Sequence, residues 1–159
     1  MLPLLLLNTA MAGPVCGLLG GLDIPLESYT SSSMGPGFGL YGGWDVQAGP
    51  LHLQPELVLR LSLAAPIGVA LAGVALTGGD SVRPGLYAHA GMPVLGGYPF
   101  PAFDGGLVVE SALGVHFSAG LRAGYQYAPT VHAKCGACPQ AADHMALIQV
   151  TAGWRREEN

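Results

Sequence analysis

The stretch Leu51-His52-Leu53-Gln54-Pro55-Glu56-Leu57-Val58-Leu59-Arg60-Leu61-Ser62-Leu63 decides the fold. Every odd position holds leucine or proline. The even positions hold His52, Gln54, Glu56, Val58, Arg60 and Ser62, and Val58 is the one lapse. A period of two sends alternate side chains to opposite faces of a β-strand. A helix would scatter the same leucines around its circumference. The pattern returns where Phe117, Ala119, Leu121, Ala123, Tyr125 and Tyr127 alternate with Ser118, Gly120, Arg122, Gly124 and Gln126. It returns again where Ile148, Val150, Ala152 and Trp154 alternate with Gln149, Thr151, Gly153 and Arg155.

Composition narrows the setting of these strands. Charged residues are 10% of 159, against roughly 25% in an ordinary soluble domain. Hydrophobic residues are 50%, which excludes intrinsic disorder. The net charge of -4 leaves no basic footprint for nucleic acid. An apolar, charge-poor chain crosses a bilayer as helices or as a closed barrel. The uncharged stretch from Leu61 to Gly79 approaches the length of a spanning helix. It contains Pro66, Gly68, Gly73, Gly78 and Gly79, which work against a helix.

Turn signals divide the chain into eight expected strands. They run Val15–Leu26, Gly37–Ala48, Leu51–Leu63, Ile67–Leu76, Val82–Pro93, Asp104–Leu113, Phe117–Tyr127 and Met145–Arg155. Most have the length of a tilted membrane strand. Connections two, four and six are short turns, and the longest loop is Ala128 to His144. The expected fold is all-β, an eight-stranded antiparallel up-and-down transmembrane β-barrel. Residues 1–12, ending Ala10-Met11-Ala12, read as a signal peptide with cleavage before Gly13, its short apolar run and missing basic n-region being those of a truncated start. Residues 13–159 are then a single barrel domain.

Several segments carry a family resemblance. They are Gly20-Gly21-Leu22-Asp23-Ile24-Pro25-Leu26, Gly35-Pro36-Gly37-Phe38-Gly39-Leu40-Tyr41-Gly42-Gly43-Trp44, Leu51 to Leu57, and Ala119-Gly120-Leu121-Arg122-Ala123-Gly124-Tyr125. The chain resembles the small eight-stranded outer-membrane β-barrel proteins of Gram-negative bacteria, the porin-like or OmpX-like barrel domains. The resemblance implies a location in the cell outer membrane, contact with membrane lipid and a monomer. Such barrels commonly end on an aromatic residue. Here Arg155-Arg156-Glu157-Glu158-Asn159 follows Trp154.

With the apolar parity toward lipid, the other parity lines the lumen. A lumen of eight strands is just wide enough for side chains to fill, and charges inside it must be paired. Glu56 and Glu110 are therefore expected to meet Arg60, Arg83 or Arg122 as a polar network plugging the lumen. The sharper alternative is a narrow conducting pore. Sequence alone does not fix which parity faces out, so a soluble calycin-like barrel binding an apolar ligand stays open.

Other residues invite chemistry. Cys135 and Cys138 lie in the longest loop between His132 and His144. They are expected to form a disulfide in an oxidising compartment. The alternatives are a metal site built from His132, Cys135, Cys138 and His144, and a redox pair. Cys16 is left over. His116-Phe117-Ser118 resembles the His-x-Ser of outer-membrane lipid A deacylases, in which histidine activates serine. Those enzymes continue with asparagine, whereas Ala119 follows here. The expected protein is non-catalytic and needs no cofactor. Its role is structural, or surface interaction with an extracellular ligand or protein through loops near Ser31, Tyr98 and Cys135. A lipid-modifying hydrolase is the enzymatic alternative.

Overall fold

The structure is a computed structural model that describes residues 10–26, 34–97, 99–129 and 143–156, with only the backbone of 10–12. Its strands are β1 (Ala10–Pro25), β2 (Gly35–Ala48), β3 (Leu51–Ser62), β4 (Ile67–Gly78), β5 (Val82–Leu95), β6 (Ala102–Ala112), β7 (Phe117–Tyr127) and β8 (His144–Arg155). Each pairs antiparallel with its sequence neighbours, and β8 closes on β1. The chain is thus an all-β, closed, eight-stranded up-and-down barrel.

The strand limits differ from expectation in an informative way. β1 starts at Ala10 instead of Val15, so the backbone of Ala10 and Met11, at the end of the expected leader, pairs with Gln47 and Val46. β4 runs on to Gly78, β5 to Leu95, and β6 begins at Ala102. Alternation of side chains fades at these ends, but the ladder needs only backbone N–H and C=O groups.

Register fixes the tilt. Register partners followed once around run Cys16, Gly42, Leu57, Ala72, Ala90, Phe103, Tyr127, His144. The path returns to β1 at Leu26, whose N–H bonds the His144 carbonyl at 2.9 Å. This stagger from Cys16 to Leu26 is the shear that closes the barrel with strands tilted by about 35–45°. The turns at 49–50, 79–81 and 113–116 lie at the end where β1 starts and β8 finishes, here called the terminal end. The opposite end carries the other connections and is called the loop end. Gly49, with φ 61°, supplies the left-handed residue that the two-residue turn before Pro50 requires.

The faces separate cleanly. β3 alternates exposed and buried without a break from Leu51 to Ser62. The leucines are outside: Leu18, Leu57 and Leu107 are 60%, 67% and 62% exposed. Among the described strands no Asp, Glu, Lys or Arg points outward. Outward aromatic rings sit toward the two ends. Phe38, Phe103 and Tyr125 occupy the loop-end halves of their strands, and Trp44, Phe117 and Trp154 the terminal halves. Aliphatic side chains fill the band between them.

The inner face mixes large and small residues. At the loop end Leu19, Ile67, Val69, Leu71, Met145 and Leu147 form an apolar cluster. Elsewhere large polar side chains face glycines, the usual way to fit a narrow barrel. A Cβ on Gly124 would run into the Tyr87 hydroxyl and the Gly105 backbone. Gly124→Ala is therefore expected to destabilise the folded barrel by about 1–3 kcal/mol, the range for overpacking. Denaturant unfolding in detergent checks this, and an unchanged midpoint counts against tight packing around Tyr87.

Candidate functional site: a buried charge network in the lumen

The inner face gathers Arg60, Arg83, Arg122 and Arg155 with Asp23, Asp45, Glu56, Asp104 and Glu110. They stack in three levels along the barrel axis. Most are shut off from water, with Asp23 and Asp45 at 0% exposure, Glu56 at 3%, Arg60 at 4% and Arg122 at 5%.

Asp45 organises the terminal-end level. Arg155 Nη1 lies 2.8 Å from its carboxylate, His52 Nδ1 3.1 Å and Arg83 Nη1 3.8 Å. Arg155 also reaches Glu110 through Nη2 at 3.4 Å. The middle level centres on Glu56. Arg122 grips both carboxylate oxygens, Nη1 at 2.9 Å and Nη2 at 3.0 Å, in a bidentate pair. Gln54 Nε2 donates to Glu56 at 3.1 Å. His89 lies between two carboxylates, its Nε2 2.8 Å from Glu56 and its Nδ1 2.5 Å from Asp104. The Arg122 guanidinium sits 5.4 Å from the Tyr41 ring centre and 5.1 Å from that of Tyr87. Both are cation–π distances. At the loop end Arg60 donates to Asp23 and to Gln126.

The five residues expected in the lumen network are all on the inner face; one expected pairing forms, and the other three residues take partners from outside the expected set. Glu56 takes Arg122. Glu110 takes Arg155, a residue grouped by sequence with the charged tail. Arg60 takes Asp23, and Arg83 takes Asp45. Partner choice follows the shear, which sets which positions on distant strands share a height. Arg155 and Asp104 were not named for the lumen network although the signal existed. Arg155 continues the inward parity of Gln149, Thr151 and Gly153, and Asp104 that of Gly106, Val108 and Glu110.

The other candidates are dispersed. His116 lies in an exposed turn on the outside, its ring 6.5 Å from that of Trp154. Ser118 belongs to the inward parity and hydrogen-bonds Tyr41. The His116 ring, in the turn before β7, and the Ser118 hydroxyl thus turn to different partners, Trp154 and Tyr41, and they do not form a dyad. His132, Cys135 and Cys138 lie outside the described residues, as do Ser31 and Tyr98. His144 is on the outer face, hydrogen-bonded to Tyr125, with its ring 5.2 Å from that of Tyr127. Among the described residues no group of three or more His, Cys, Asp or Glu could hold a metal. Cys16 is free and exposed on the outer wall.

Fold and site together define a class: a closed eight-stranded antiparallel barrel whose described strands carry no charge on their outer face, with an ion-paired interior. No family model matches the chain, and no curated protein or solved structure matches it.

Proposed function

We propose that the protein is an outer-membrane β-barrel of porin-like or OmpX-like type, non-catalytic, with a lumen plugged by its own ion-paired side chains. Its role is structural, or surface interaction through the loop-end connections. The carrying observation is that the strands described have no charged side chain on their outer face. Such a wall meets water poorly and lipid well, and the aromatic rings toward its two ends match the girdles of membrane barrels. A soluble calycin-like barrel needs the reverse, with its polar parity outside and apolar side chains around an internal ligand. The filled lumen favours the plugged reading over the narrow pore. The separation of His116 from Ser118 removes support from the hydrolase reading.

Membrane fractionation with a heat-modifiability gel tests the proposal. The protein is expected to pellet with outer membranes and to change mobility on boiling. Solubility without detergent would overturn the membrane reading. Steady, large conductance in a planar bilayer would overturn the plugged lumen alone.

A further inference from the structure

A groove of about 740 Å3 crosses the outer wall over β7, β8, β1 and β2, near the terminal end. Leu18, Leu40, Phe117 and Trp154 bound it, and the small side chains of Ala119 and Ala152 leave it open. Its lining is nearly all apolar. Just beyond its lining, toward the terminal end, stands a cation. Arg156 follows Trp154 at the next outward position, and its N–H bonds the Pro14 carbonyl at 3.1 Å, two residues from Cys16 of the lining. Its side chain is exposed. Among the described residues Arg156 is the only Lys or Arg outside the lumen. His116 stands beside it, its ring against Trp154 and its carbonyl accepting from Arg155 N–H.

We infer that this groove holds one phospholipid of the surrounding bilayer, an acyl chain along the apolar wall and the phosphate at Arg156. The inference rests on the membrane reading above. Charge complementarity selects the occupant. An apolar groove with an exposed arginine just beyond its Trp154 edge matches an anionic headgroup joined to a hydrocarbon tail. A guanidinium binds phosphate through paired N–H donors, and Trp at the bilayer interface anchors at the same depth. A second copy of the barrel would bring another Arg156 and its like charge to a symmetric contact.

Native mass spectrometry of the full chain in non-ionic detergent tests this with two probes. One is dimyristoylphosphatidylglycerol, and the other is dimyristoylglycerol, with the same tails and no phosphate. One phosphatidylglycerol is expected to stay bound, and the diacylglycerol about fivefold more weakly, the effect of one basic side chain near an anionic surface. Arg156→Gln should reduce phosphatidylglycerol to the diacylglycerol level. Ala152→Leu, which fills the groove from an outward position, should abolish retention of both. Ala123→Leu fills a smaller outer-wall groove over β4 to β7, away from Arg156, and should change nothing. Equal retention of the two probes, no loss in Arg156→Gln, or a dimer that excludes lipid would overturn the inference. A boiling-dependent gel shift is read on the same samples. A barrel that shifts but retains no lipid refutes the groove alone, whereas a chain that neither folds nor shifts in detergent refutes the membrane reading.

Discussion

Glu56→Ala is expected to lower the stability of the folded barrel by about 3–5 kcal/mol, the cost of stranding a buried charge. Glu56 is 3% exposed and is the meeting point of Arg122, His89 and Gln54. Its removal leaves the Arg122 guanidinium, 5% exposed, with two aromatic faces but no carboxylate. His89 keeps Asp104 only. Reversible urea unfolding in lipid vesicles measures the loss. The double variant Glu56→Leu with Arg122→Met removes both charges and replaces them with apolar volume. It is expected to recover most of the stability, because a matched buried pair contributes little net against well-packed hydrophobes. A double variant as unstable as the single one would mean that the ion pair itself stabilises the fold. A single variant with wild-type stability would mean that water reaches the lumen and screens Arg122. That outcome would also sink the plugged reading.

Legibility differed between the two faces of the strands. The leucine parity of β3 and the uncharged parities of β7 and β8 could be read directly, since period two is a local property of the chain. Strand number and connection lengths followed from Gly49-Pro50, Thr77-Gly78-Gly79 and similar turn signals. Which parity faces outward was not legible, because both assignments satisfy the same alternation. The barrel geometry decides it: the polar parity, with Asp23, Asp45 and Glu56, is inside. The pairing of individual charges was also out of reach. Glu56 and Arg122 are 66 positions apart in sequence and meet only through the stagger around the barrel. Shear is a sum of register choices between neighbouring strands, and no single window of sequence contains it. The bulge in β1 between Met11 and Gly13 is a case in point, since it shifts register where the sequence shows no break in apolar character.

Leu57→Arg carries the second large expected effect and bears on the membrane reading rather than on the lumen. Leu57 is 67% exposed in the middle of β3, while Leu51, on the same outer face at the strand's terminal end, is 50% exposed. For a protein in water both are surface positions, and arginine at either should alter stability by no more than about 0.5 kcal/mol. For a barrel in lipid the two differ by depth. Arginine at the bilayer midplane costs about 2–4 kcal/mol, and near the interface about 0–1 kcal/mol. Unfolding of the Leu57→Arg and Leu51→Arg variants in the same vesicles is therefore expected to show a large loss for the first and a small one for the second. Neither substitution touches the lumen, so the difference between them isolates the outer solvent. Equal, near-zero effects would place the leucine band of β3 in water. A graded loss along Leu51, Leu53 and Leu57 would measure depth directly, because these residues lie on one face of one strand and differ chiefly in height along the tilted barrel wall.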